Sequence, residues 1–150
     1  MYGLGMDERM WEVANPYGQG IYGSIAWTGE HVIGIARQFT GTGGGSRYWG
    51  YLTAWDPASG TWHDLPQPPS TVADANIVWT GERAVLLGEG LAFDPASGEW
   101  WILGSAVGAG MPRRGAVTLW AGDRLFVWGG QKGGEAPEMY PRGYTILPQW

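Results

Sequence analysis

Apolar residues in this chain come in short, partly alternating runs, each closed by Gly, Pro or an acid. Such runs are strand signals. Three of them share one heading: "WTGEHVIGI" from Trp27, "WTGERAVLL" from Trp79 and "WAGDRLFVW" from Trp120. Between successive headings falls a second recurrent stretch, "AWDPASGTWHDL" from Ala54 and "AFDPASGEWWIL" from Ala92. Self-similarity of this kind marks a repeat architecture, and it sets the order in which everything else is read.

The second copy shows the unit most clearly. Strands are expected at Val72 to Trp79, Arg83 to Leu87, Leu91 to Phe93 and Glu99 to Leu103, with Asp94-Pro95-Ala96-Ser97-Gly98 as the last corner. In that corner Pro presets φ, Asp caps the turn through its side chain, and Gly supplies the positive φ of the exit. Connections this short join only antiparallel neighbours, so each unit is a four-stranded meander. The first unit reads as Ile21–Trp27, His31–Phe39, Tyr48–Trp55 and Thr61–Leu65, its extra length falling mainly in "TGTGGGSR". The third has "RLFVWGG" as second strand and Met139-Tyr140 as third. Its "YTILPQ" mirrors "TWHDLPQ", with Tyr144 standing where Trp62 does. Residues 1–16 read as half a unit, with Trp11 at the Trp62 position. The chain thus divides into a half unit, 1–16, and units at 21–69, 70–112 and 113–150.

Gly129-Gly130 closing a strand, the aromatic-Asp pairs Trp55-Asp56 and Phe93-Asp94, and the following Trp62 and Trp100 resemble the kelch pattern. "PRRGAVTLWAGDRLFVWGG" is similar to the opening of a kelch repeat, with Arg113 at its arginine. The likeness recurs three times and spans nearly the whole chain, although Val72 and Gly20 stand where the arginine would be in the other units. It implies an all-β fold, a β-propeller of four-stranded antiparallel blades, partial or open with about three blades. It also implies that the fourth-strand Trp packs on a neighbouring blade. One twisted sheet cannot cover its own faces, whereas stacked copies cover one another. Three and a half blades leave the array open. A bare face of roughly 300–400 Å² forfeits about 8–10 kcal/mol, comparable with the stability of a whole domain. The expectation is a portion of a longer propeller, favoured by the half unit, or else one part of an oligomeric ring; further blades arrive in cis or by association.

Composition agrees with tight turns and a packed interior: 27 Gly and 11 Trp in 150 residues, with 44% hydrophobic positions. Formal charge is −5 without any basic run, so no nucleic-acid footprint is expected. There is no cysteine, hence no disulfide or thiolate chemistry. No stretch is apolar enough for a signal-peptide core or a membrane span. The resemblance, together with a Gly-, Ala- and Arg-rich composition holding one Lys, suggests an exported bacterial protein; the residues leave the compartment undetermined.

Catalytic chemistry finds little support. His31 and His63 lack metal-ligand spacing, and no cofactor is expected. Glu30, Glu82 and Asp123 occupy one repeated turn position and Asp56 and Asp94 another, as turn chemistry requires. Asp74, Glu89, Glu135 and Glu138 are not paired by spacing. "GTGGGSR" lacks the Gly-Lys-Ser/Thr ending of a phosphate loop, and "DPASG" has the wrong spacing for an Asp-box. Two function classes follow. One is a non-catalytic scaffold for a protein or carbohydrate partner. The other is a portion of a kelch-propeller enzyme, of oxidase or sugar-epimerase type, whose catalytic residues lie outside this chain. For a scaffold, the loops from fourth to first and from second to third strand share one end of a propeller. They carry Tyr17, Tyr22, Asp74, Arg113, Arg114, Arg47, Trp49 and Lys132, and an arginine fork there suits a carboxylate.

Overall fold

In the computed structural model the described residues are 21–40, 47–70, 72, 75–103, 113–132 and 142–148, with backbone alone at 21–23, 37–40, 47–48, 113–114 and 132. All regular structure among them is β-strand, in three antiparallel sheets. The first sheet orders β1 (Ile21–Trp27), β2 (Val32–Thr40), β3 (Arg47–Asp56) and β4 (Thr61–Asp64) as a plain meander. The second repeats it with β5 (Asn76–Trp79), β6 (Ala84–Leu87), β7 (Leu91–Asp94) and β8 (Glu99–Ile102). In the third unit β9 (Arg113–Arg114) pairs with β12 (Gln131–Lys132), and β10 (Val117–Trp120) pairs with β11 (Leu125–Trp128). Both pairings keep one register, so they form a single hairpin interrupted at Gly115 and at Gly129-Gly130, all three with positive φ. β13 (Tyr144–Ile146) completes that sheet.

Each turn follows from its residues. In both Asp-Pro corners the carboxylate accepts an N–H two residues on, Ala58 for Asp56 and Ala96 for Asp94, at 2.8 Å. The corner closes through Gly60 N–H to the Asp56 carbonyl and Gly98 N–H to the Asp94 carbonyl, again at 2.8 Å. Gly60 and Gly98 reach φ of 69° and 73°, a region that glycine enters without steric cost. In the Trp-Thr-Gly-acid turns a threonine hydroxyl does the work. Thr28 Oγ1 accepts from His31 N–H and Thr80 Oγ1 from Arg83 N–H, both at 3.0 Å. The third copy has Ala121 there and keeps only the backbone bond, from Ala121 N–H to the Arg124 carbonyl at 2.8 Å.

Register lines up equivalent rows across the three sheets. Trp27, Val32, Trp55 and Trp62 lie directly opposite one another across the first sheet. Trp79, Ala84, Phe93 and Trp100 do so in the second, and Trp120, Leu125 and Ile146 in the third. The second sheet's row packs toward the first sheet, in a core with Ile33, Ile35, Leu52 and Ala54. The third sheet's row packs toward the second, on Val78, Val85, Leu87 and Ala92. First strands adjoin in series, β1 beside β5 and β5 beside β10, and Ser24 Oγ donates to the Ile77 carbonyl between them at 3.3 Å. The middle sheet is therefore covered on both faces. This is why β6, Ala-Val-Leu-Leu, is apolar throughout and buried at every position.

The structure corrects three readings of the sequence. Tyr144–Ile146 is not a fourth strand: Leu125 lies opposite Ile146 and Val127 opposite Tyr144, so β13 takes the third place in its sheet. Tyr144 is thus equivalent to Leu91 and not to Trp62 or Trp100, and Pro148 falls where Pro95 does. The reason is burial: in this register Ile146 enters the core against the second sheet while Thr145 and Leu147 face solvent. Met139-Tyr140, the expected third strand, lies outside the described residues. The first strand of the second unit begins at Asn76, leaving Val72 as a buried residue of the connection. The extra length of the first unit is largely strand. β2 and β3 stay paired out to Thr40 and Arg47, whereas the equivalent hairpin turns at Gly88 to Gly90.

Candidate interaction surface

The two ends of the sheets differ in chemistry. At one end lie the Trp-Thr-Gly and Asp-Pro turns; at the other lie the openings of first and third strands, where the sequence places candidate contact residues. That second end is dominated by the long β2–β3 hairpin. Ala36 opposite Tyr51, Arg37 opposite Gly50 and Gln38 opposite Trp49 carry it past the point where the second sheet's hairpin has turned. The arm is braced at its root. A Cβ on Gly50 would overlap the Val72 carbonyl, so the two backbones cross in direct contact. Glycine is the residue that permits such an approach.

Beyond this crossing Trp49 stands 52% exposed. Arg47 is the first residue of β3, opposite Thr40, so arginine and tryptophan sit two positions apart near the tip. Tyr22 lies in β1, within the stretch where its register against β2 slips between Ile21 and Ile25. Arg113 and Arg114 form β9, opposite Lys132 and Gln131, at the corresponding end of the third sheet. Asp74, Tyr17 and Trp11 lie outside the described residues.

The repeat positions have mostly structural surroundings. Trp100 is half-buried, its ring 5.0 Å from that of Phe93, and its Nε1 donates to the Pro66 carbonyl of the first unit at 3.0 Å. Trp62 takes the same place in the first sheet, opposite Trp55. Hydrogen bonds from Ser59 and Ala58 hold the Asp56 carboxyl below the usual carboxylate range, and the Ala96 N–H does the same for Asp94. In the third unit Asp123 is held low by Arg124, whose Nε and Nη2 donate to its two oxygens at 2.7 and 2.8 Å.

At the turn end, sequence reasoning missed an open cleft of about 800 Å³ between the first two sheets, lined among others by Glu30, His31, Trp79, Glu82, Arg83 and Asp94. A repeated turn on adjacent sheets brings these charges together, which no spacing along the chain discloses. A smaller cavity of about 220 Å³ is lined by both His31 and His63, which lack metal-ligand spacing along the chain. His63 Nε2 lies 3.2 Å from Thr61 Oγ1. Arg83 stacks over the ring of Trp101 at 4.8 Å from its centroid, a cation–π contact. Among the described residues no three His, Asp or Glu side chains are grouped to hold a metal ion, and no helix is long and apolar enough to cross a membrane.

No protein-family model matches the chain, and no curated protein matches it in sequence.

Proposed function

We propose that this chain is a kelch-type β-propeller segment, part of a longer propeller, that serves as a non-catalytic scaffold and engages a protein or glycan through its loop end. Support for the propeller comes from three sheets of one meander pattern, adjoining through their first strands. Equivalent cross-strand rows of the second and third sheets pack toward the preceding sheet. Support for a scaffold comes from the recurrent carboxylates Asp56 and Asp94, each of which accepts hydrogen bonds that close its own turn.

One observation carries the choice of surface. The β2–β3 arm extends past its counterpart in the second sheet, and it holds Trp49 largely in water, two positions along β3 from Arg47. Tryptophan and arginine are the residues that most often anchor interfaces. Tyr22 in β1 and Arg113 and Arg114 in β9 lie at the same end of the first and third sheets.

The experiment pairs a glycan array with affinity capture, using the wild type and the Trp49→Ala and Arg47→Ala variants. The expected result is one glycan class or one protein retained by the wild type and lost in both variants, at unchanged denaturation midpoints. A ligand retained equally by both variants would move the binding surface elsewhere.

A further inference from the structure

The turn end carries a recess built twice from the same parts. Between the first and second sheets, Thr28, Gly29, Glu30 and His31 of one turn stand with Trp79 and Gly81 of the next. Between the second and third sheets, Thr80, Gly81, Glu82 and Arg83 stand with Trp120 and Gly122, position for position. The first recess is the larger, about 800 Å³ against about 390 Å³, and it alone of the two is also lined by the Asp94-Pro95 corner. Its volume is that of a small-molecule site, roughly 300–1,000 Å³. Both of its walls belong to sheets of this chain, so it does not depend on further blades.

The turns leave polar groups over. Threonine hydroxyls and glycines of positive φ shape them, and Glu30 and Glu82 contribute only their backbone N–H, to Thr28 Oγ1 at 3.3 Å and to Thr80 Oγ1 at 3.4 Å. Among the described residues neither glutamate carboxylate accepts a hydrogen bond. Asp123, at the same place in the third turn, is by contrast held by two nitrogens of Arg124. The cleft thus keeps an acid on each wall that does not serve its turn. Between them Trp79 is half-buried and packed on the core of the two sheets, which makes it a fixed aromatic wall. His31 adds an imidazole, and Arg83 a guanidinium stacked over Trp101.

This mixture decides the ligand class. An anion entering the cleft would meet Glu30, Glu82 and Asp94, and a cation would meet Arg83. A hydroxyl donates to a carboxylate and accepts from a guanidinium or an imidazole, so it suits groups of both signs. The C–H face of a sugar ring suits an indole. We propose that the cleft between the first and second sheets binds a neutral saccharide. Glu30 and Glu82 accept hydroxyl protons from opposite walls, and Trp79 supplies the apolar side. This site is separate from the loop end and does not rest on what binds there.

The test is titration of the full chain with galactose, glucose, mannose and N-acetylglucosamine, followed by saturation-transfer NMR and tryptophan fluorescence. At least one sugar is expected to saturate with a Kd of about 1 mM, as suits a ligand of this size in an open cleft. Because the ligand is neutral, about 0.5 M NaCl should leave that value unchanged. Glu30→Ala and Glu82→Ala, both at exposed positions, should each weaken binding about tenfold, at unchanged denaturation midpoints. Should either alanine variant lose its fold, the corresponding Glu→Gln variant, which keeps the shape and removes the charge, replaces it. Failure of all four sugars to saturate by about 50 mM overturns the proposal. Tighter binding of cadaverine that weakens as salt rises overturns it as well, in favour of a cation site. Saccharide binding that survives both glutamate variants but is lost in Trp49→Ala belongs to the loop end; it overturns this proposal and upholds the reading of that end.

Discussion

Replacing Leu86 and Leu87 by alanine, one at a time, tests the stacking of three sheets through two neighbouring residues. Consecutive strand positions point to opposite faces. Leu86 packs in the core between the first and second sheets, and Leu87 in the core between the second and third. Both are almost wholly buried, at 0% and 1% exposure. Each substitution removes three buried carbons, worth about 0.8 kcal/mol apiece on transfer to water. The cavity left behind raises the expected loss to about 3 kcal/mol, within the usual range of about 2–5 kcal/mol for buried leucines. Against a total of about 5–15 kcal/mol for a domain, either loss is readily measured. Urea titration followed by tryptophan fluorescence reads it directly, with the slope checked for constancy between variants. Because the two side chains sit in separate cores, the double variant should lose the sum to within about 0.5 kcal/mol. A loss below about 0.5 kcal/mol for either single variant would mean that one face of β6 meets water, and the side-by-side arrangement would be wrong.

Other outcomes follow from individual contacts. Gly50→Ala pushes a methyl group into the Val72 carbonyl; a loss of about 1–3 kcal/mol is expected, read as a fall in Tm of roughly 2–12 °C, and an unchanged Tm would separate the arm from the connection. Trp100→Phe keeps an aromatic ring beside Phe93 but removes the donor to Pro66, so about 1 kcal/mol should be lost in urea titration. Asp56 and Asp94 titrate below the ordinary carboxylate value of 3.8 because the folded corner donates hydrogen bonds to their ionised forms. Their stabilisation is present above that ordinary value and is lost as pH falls through the lower folded values. Denaturation midpoints measured from pH 6 downward should therefore decline below about pH 4, and less steeply in a variant carrying both Asp56→Asn and Asp94→Asn.

Much of the fold is legible along the chain because its information is local. The Asp-Pro corners and Trp-Thr-Gly turns close through groups within four residues of one another, so a quoted pentapeptide suffices to place them. The place of Tyr144–Ile146 was not legible in this way. A strand of three residues following Gly143 carries no signature of third or fourth rank; pairing with β11 and the burial of Ile146 decided it. The extended β2–β3 arm was half legible: a long insertion is visible, but that its flanks stay paired depends on cross-strand partners up to nine positions from the Asp-Pro corner. Of the candidate contact residues, the sequence singled out Trp49 and Arg47 by place in the loop. Only the arm explains why Trp49 remains in water.

By itself, the sequence determined the strand content, the turns and the repeat unit, because strand alternation and turn chemistry act over a few residues. Tertiary structure alone decided which face of each sheet is covered. Leu87 and Trp128 hold the same place in their units, and one is buried while the other stands half in water. Nothing in either residue differs in kind. The difference is whether a neighbouring sheet lies across it, and a hydrophobic face is satisfied only by what is packed against it.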